Sequence, residues 1–154
     1  MKTSSLVHEF LGQKRFAMIG VSRNPKAFSR ILFKEFVHRG YEVVPINKQA
    51  QDIEGRRCYV RIGDVKPAVS SALLMTPRET ADEILKDCVD AGVTLVWIYG
   101  ISGAKDVDPG AIKVCSKYGI RVVPGLCPFM FMPAPAFYHR LHGFVWKVFG
   151  KYPA

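Results

Sequence analysis

The stretch Gly20-Val21-Ser22-Arg23-Asn24-Pro25-Lys26-Ala27-Phe28-Ser29-Arg30 gathers one glycine, two serines and three bases into a single turn-sized segment. A glycine lets backbone come close to a ligand. Amides that open a following helix can hold phosphate. Ser22 and Ser29 add hydroxyls, and Arg23, Lys26 and Arg30 add positive charge. The chemistry this set suits is anion binding, although an ordinary strand-to-helix turn uses the same residue types. The loop matches neither familiar phosphate motif. GxGxxG needs glycine where Ser22 and Pro25 stand, and GxxxxGK[ST] does not occur.

A dinucleotide site also expects an acid at the end of the second strand to hold ribose hydroxyls. Here the chain reads Pro45-Ile46-Asn47-Lys48, an amide and a base. NAD is disfavoured by this pair, and a ligand with a phosphorylated ribose is favoured.

Other reactive side chains form no set. The four cysteines, Cys58, Cys88, Cys115 and Cys127, are far apart and make no CxxC pair, so neither disulfide nor zinc spacing is present. Cys127, near the end of the fifth strand, could meet a ligand thiol. Nothing in its sequence neighbourhood lowers its pKa, and packing before Pro128 is the expectation. His139 and His142 share a helical face, but no carboxylate follows Asp108 to complete a metal site. Solvated or interfacial histidines are expected, with no metal. No nucleophile–base pair or carboxylate pair stands out, so no catalytic residue is assigned.

Positioning these residues requires a scaffold, and the apolar pattern supplies one. Leu6, Val7, Phe10 and Leu11 have helical spacing. Strand-like runs follow at 15–20, 41–46, 69–75, 94–99 and 120–123. Between them lie helical stretches. Asn24-Pro25 reads as the cap and first turn of one. Thr76-Pro77-Arg78-Glu79 reads as a capping box, and Asp108-Pro109 caps another. The polar stretch 47–68 reads as a loop with little regular structure.

Alternating strands and helices predict an α/β, Rossmann-like, doubly wound parallel sheet of five strands with helices on both faces. One domain is expected over 1–154, with a core at 14–127 and an extension at 128–154. Cys127-Pro128-Phe129-Met130-Phe131-Met132 and the prolines after it argue for an irregular, buried connection. Phe137, Leu141, Phe144, Val145 and Val148 then predict a C-terminal amphipathic helix.

Charge is uneven. The net charge is +9, all 13 acidic residues precede residue 109, and 109–154 carry six bases and no acid. Such an excess favours anionic partners. The bases are dispersed outside Arg56-Arg57, so nucleic acid is not expected. No apolar run of about 18 residues is free of charge, and the N-terminus lacks the order of a signal peptide. A cytoplasmic protein without a membrane span is expected.

The chain resembles the small CoA-binding domain proteins, relatives of the nucleotide-binding domain in the succinyl-CoA synthetase α subunit. The resemblance rests on Ile19-Gly20-Val21-Ser22 with Pro25 and Ser29, on Val43-Val44-Pro45-Ile46-Asn47, and on Gly55-Arg56-Arg57-Cys58-Tyr59. Thr76-Pro77, Trp97 and Gly100-Ile101 complete it, in order over roughly residues 14–127. It implies that Gly20, Val21, Ser22 and Ser29 hold the phosphates of coenzyme A or an acyl-CoA, beside Arg23 and Lys26. Asn47 and Lys48 would face the 3′-phosphate, and Thr76 with Pro77 would wall the pantetheine or pyrophosphate. Tyr99 and Gly100 would form the rim at the fourth strand. Ser70 stands where many relatives carry aspartate, and Tyr99 where they carry glutamine or an acid. The synthetases use a phosphorylated histidine from a second domain, and none is read in this sequence.

The expected function is therefore a non-catalytic CoA carrier, sensor or regulator. Two rivals stay open: an NAD(P)- or acyl-CoA-dependent enzyme of the same fold, and an interaction module using the basic, aromatic C-terminus. Burying each large apolar side chain of residues 134–150 is worth roughly 1.5–3 kcal/mol, which predicts a homodimer through that helix. Light scattering should report a dimer, and a stable, soluble monomer would refute this.

Overall fold

The computed structural model describes residues 2–76 and 81–133. Helix α1 (Thr3–Gly12) precedes β1 (Arg15–Ile19), α2 (Phe28–His38) and β2 (Glu42–Ile46). A small hairpin, β3 (Asp52–Ile53) and β4 (Arg56–Arg57), leads to β5 (Ser71–Leu74) and α3 (Ala81–Asp90). Then come β6 (Leu95–Tyr99), α4 (Pro109–Lys117) and β7 (Arg121–Leu126). The main sheet is five-stranded, in the order β2-β1-β5-β6-β7, and every neighbouring pair is parallel.

Alternate residues of each strand feed two separate cores. Phe16, Met18, Leu73, Leu95, Trp97 and Val123 meet Leu6, Val7 and Phe10 of α1 and Leu32, Phe33 and Phe36 of α2. Ala17, Ile19, Ala72, Leu74, Val96 and Ile98 meet Leu85 and Cys88 of α3 and Ala111 and Cys115 of α4. Helices therefore cover both faces, the doubly wound arrangement expected. The α1/α2 face is aromatic: Phe16 lies 4.8 Å from both Phe10 and Phe36, centroid to centroid. Trp97, fully buried, donates its indole N–H to the Leu126 carbonyl at 2.8 Å, so its one polar atom is satisfied.

Three expectations change. Helix α2 begins at Phe28, with Ala27 as its N-cap, not at Asn24-Pro25. Asn24 closes a tight turn instead: its Oδ1 accepts from the Lys26 amide, and its carbonyl accepts from the Ala27 amide, both at 3.0 Å. A short amide side chain competes with helix in this way. The stretch 47–68 is not a plain loop. It holds the β3–β4 hairpin, turned by Glu54 at φ 52° and Gly55 at φ 74°, and it buries Ile53, Cys58, Ile62 and Val65. Isolated apolar residues gave no periodicity to reveal it. Strand β7 runs three residues further than 120–123, through Pro124 to Leu126, where Pro124 lies on an edge strand and no second neighbour needs its missing donor.

Cys127 and Pro128 are buried, as a packed connection requires. The Thr76–Glu79 capping box falls partly, and the C-terminal amphipathic helix wholly, outside the described residues.

Two glycines bring the ends of β6 and β7 into backbone contact. A Cβ on Gly100 would stand 2.6 Å from the Gly125 Cα, and one on Gly125 (φ 67°) would stand 1.8 Å from the Gly103 carbonyl oxygen. Asp106 holds that loop down by accepting from the Ile101 and Ser102 amides at 2.6 and 2.7 Å. Gly125→Ala should therefore destabilise by about 3 kcal/mol or more, a severe backbone clash added to a strained dihedral. Gly119→Ala, at φ 68° with open space around it, should lose only about 1–2 kcal/mol. Denaturant titration of both variants checks the contrast.

Candidate functional site

Strand β1 lies between β2 on one side and β5 on the other. The chain leaves β1 toward one edge and returns to β5 on the other, so the crevice opens at their carboxyl ends. The Gly20 amide donates to the Ile46 carbonyl at 3.1 Å, and the Met75 amide donates to the Ile19 carbonyl at 2.8 Å. Pairing therefore continues up to the point where Gly20, at φ +91°, swings the chain out of the sheet. A Cβ there would lie 2.9 Å from Thr76 Cγ2 and 3.1 Å from the Met75 carbonyl carbon. Only glycine leaves this cradle open.

Beyond Gly20 the loop is tied to itself. The Ser22 amide donates to Ser29 Oγ at 2.9 Å, and Ser22 Oγ accepts from the Asn24 amide at 3.0 Å. Asn47 secures it from β2: its Nδ2 donates to the Val21 carbonyl at 2.7 Å, while its Oδ1 accepts from the Gln49 amide at 2.7 Å. The serine and asparagine side chains thus shape the loop. The Phe28 and Ser29 amides open α2, where no intrahelical acceptor exists. Arg23, Lys26 and Lys48 are exposed at the rim.

Arg30 is spent differently from the expectation. It donates to the Ser22 and Arg23 carbonyls at 3.2 and 3.1 Å and forms an ion pair with Glu54. Its charge is neutralised inside the fold, and its Nε is buried without a partner.

Beside Gly20 a cavity of about 330 Å³ runs between the carboxyl ends of β1 and β2 and helix α3. Gly20, Asn47, Lys48 and Thr76 line it together with apolar Ile19, Ile46, Ile62 and Ile84. Two ion pairs span its lining, Lys48–Glu83 at 4.0 Å and Arg61–Asp87 at 2.6 Å. Sequence reasoning missed Arg61, Ile62, Glu83, Ile84 and Asp87. The first two sit in the stretch read as loop. The other three are one i, i+1, i+4 face of α3, a pattern that surface helices share.

Pro77 lies outside the described residues. Tyr99 ends β6, a strand beyond β5, and Gly100 follows it; neither lines the cavity. The Tyr99 ring packs on Phe28 at 5.4 Å, and burial pushes its hydroxyl above the ordinary phenol range. Burial also raises the Cys127 thiol to about 11. Among the described residues no three His, Cys, Asp or Glu side chains gather as metal ligands.

The geometry defines a doubly wound domain with a crevice at its switch point. The chain belongs to the CoA binding domain family, whose model matches residues 14–133, and coenzyme A is the cofactor that membership assigns. The open cradle at Gly20, the first amides of α2 and the exposed cations fit a ligand carrying a pyrophosphate and a third phosphate. The chain is 26% identical over 125 residues to the α subunit of an ADP-forming acetate–CoA ligase II from Pyrococcus furiosus, covering 77% of this chain and 27% of that protein. For the α subunit of the corresponding ligase I, identity is 28% over 134 residues, covering 79% and 29%. The chain thus spans under a third of the length of these relatives.

Among solved structures, a conserved hypothetical protein from Pyrococcus furiosus superposes with TM-score 0.70 at 24% identity, covering 77% of this chain and 98% of that one. A dinucleotide-forming acetyl-coenzyme A synthetase 1 from Ca. Korarchaeum cryptofilum, in complex with phosphate and ADP, superposes at 0.67 and 23% identity, covering 77% and 27%. Both likenesses concern the fold.

Valine at φ +91° would strain the backbone badly, so alanine is the cleaner probe of the cradle. Gly20→Ala adds a close contact with Thr76 and Met75 to the strained dihedral, so it should cost about 2–3 kcal/mol of stability and weaken CoA binding at least tenfold. Calorimetry on the folded variant checks this, and unchanged affinity would place the ligand elsewhere.

Proposed function

We propose that this chain binds coenzyme A or an acyl-CoA across the carboxyl ends of β1, β2 and β5, as a carrier, sensor or regulatory protein that does no chemistry itself. The observation that carries the reading is the cradle at Gly20, left-handed and pressed against Thr76 beside the cavity. In this reading Gly20, Val21, Ser22 and Ser29 hold the pyrophosphate, with Arg23 and Lys26 at its solvent side. Asn47 and Lys48 flank the ribose with its 3′-phosphate. Thr76 and Pro77 wall the ligand, and Tyr99 and Gly100 mark the rim at β6.

A binding role is supported by the state of the thiols. Acyl transfer through cysteine needs a thiolate, and burial keeps Cys127 protonated at neutral pH. Cys58, Cys88 and Cys115 are likewise free and buried, which suits a reducing cytoplasmic compartment. Among the described residues no helix is long and apolar enough to cross a membrane. A homodimer through residues 134–150 remains part of the proposal, on the apolar spacing of that segment.

Titration calorimetry should give micromolar or tighter binding of CoA, weaker binding of dephospho-CoA and none of comparable strength for NAD. Native mass spectrometry of the purified protein should show a mass increment matching CoA or an acyl-CoA. NAD binding without CoA heat would sink the reading. Equal affinity for CoA and dephospho-CoA would remove Lys48 from the site.

A further inference from the structure

We infer that Glu54, on the hairpin turn, is a positioning residue for the anion-binding loop and acts through Arg30. Resting on the CoA reading of that loop, this deepens it by assigning a role to an element outside the crevice. Glu54 does not line the cavity. It meets two successive turns of α2: its Oε1 is paired with Arg30 Nη2 and lies 3.7 Å from Lys34 Nζ. Arg30 is 11% exposed and Glu54 29%, so this pair is sheltered where most others on the surface are not. The Arg30 guanidinium holds the Glu54 carboxyl below its usual range.

The arrangement fixes backbone direction. Arg30 Nη1 reaches the carbonyls of both Ser22 and Arg23, at 3.2 and 3.1 Å. In a trans peptide the carbonyl and the next amide point to opposite sides. Turning the Ser22 carbonyl inward onto Arg30 therefore turns the Arg23 amide outward. One guanidinium thus sets the orientation of consecutive peptide units in the loop, and Glu54 holds that guanidinium in place. The hairpin is a rigid base for this: Ile53 is 1% exposed, and Arg56 Nη1 donates to the Glu54 carbonyl at 3.3 Å.

The inference opposes what charge alone predicts. A carboxylate near an anion site repels the anion and draws off an arginine that could otherwise bind it. On Coulomb's law, neutralising Glu54 should strengthen phosphate binding. If Glu54 acts by orienting the loop, neutralising it should weaken binding.

The test is Glu54→Gln in the full-length chain, with Glu42→Gln as the control, which breaks the exposed Arg15–Glu42 pair at the far end of the sheet. Affinities for CoA and dephospho-CoA are measured by calorimetry, and amide hydrogen exchange over residues 21–27 is followed without ligand. The expected result is faster exchange in that loop and a loss of roughly five- to tenfold in affinity. The loss should be equal for both ligands, which share the pyrophosphate, and Glu42→Gln should show neither effect. In an Arg30→Gln background, Glu54→Gln should cause no further loss, because coupled residues are not additive. Unchanged or higher affinity in Glu54→Gln, or additive losses, would overturn the inference. Should the wild-type chain bind no CoA, the functional reading falls. Exchange alone then decides for Glu54: a loosened loop upholds the latch, and an unchanged one overturns it.

Discussion

Gly20 stands where β1 runs out between two parallel neighbours, and the crevice exists because nothing protrudes there. Its amide still completes the ladder to Ile46 while its φ of +91° turns the chain out of the sheet. On the other side Met75 and Thr76 approach so closely that a single carbon would press into them. Strand pairing fixes both walls, since Ile19 aligns with Ile46 on β2 and with Leu74 on β5. The crevice is thus a direct consequence of strand order. Reordering the strands would remove the divergence of loops that opens it.

The two faces contribute unequally to holding that geometry. On the α1/α2 face, Phe10, Phe16, Phe36 and Trp97 form a chain of tilted and edge-to-face rings, each pair worth about 0.5–1.5 kcal/mol beyond its area burial. The chain continues at the carboxyl end of the sheet, where Phe28 meets both Tyr99 and Phe129, at 5.4 and 5.8 Å. Phe28 is the first residue of α2, so these contacts pin the amino end of that helix. The opposite face is made of alanines, valines, isoleucines and buried thiols, and the cavity lies there, between α3 and the carboxyl ends of β1 and β2.

Much of this was legible in the sequence because parallel strands buried on both faces read as apolar runs. RFAMI, EVVPI and LVWIY could hardly be anything else, and the glycine after β1 marks the switch. The segment 47–68 was opaque for the same reason. Ile53, Ile62 and Val65 are single apolar residues in polar surroundings, each buried by tertiary contact that no local period encodes. Asn24 misled because an N-cap and an Asx turn use the same side chain. Arg30 misled because its partner, Glu54, is 24 residues away. Residue type marked the loop as a candidate, but which of its polar groups the scaffold uses depended on partners distant in sequence.

The scaffold's use of polar groups also bears on how a cleft lined by acidic residues would accept the polyanion proposed for it. Glu83 and Asp87 of α3 line the cavity, yet each faces a cation from the loops after β2 and β4. The Lys48–Glu83 pair is long, at 4.0 Å, with both side chains about three-quarters exposed. A pair of that kind is worth little in water, so in the proposed reading a ligand phosphate would draw Lys48 away at small cost. Arg61–Asp87 is short, at 2.6 Å, and Asp87 is the less exposed partner. Its hydrogen bond to Asp87 raises the Arg61 pKa further, which ties the loop after β4 to α3. One cation is therefore free to exchange partners while its neighbour stays committed to the scaffold. On that reading, the acidic helix would hold a lysine at the rim for a stronger anion to take.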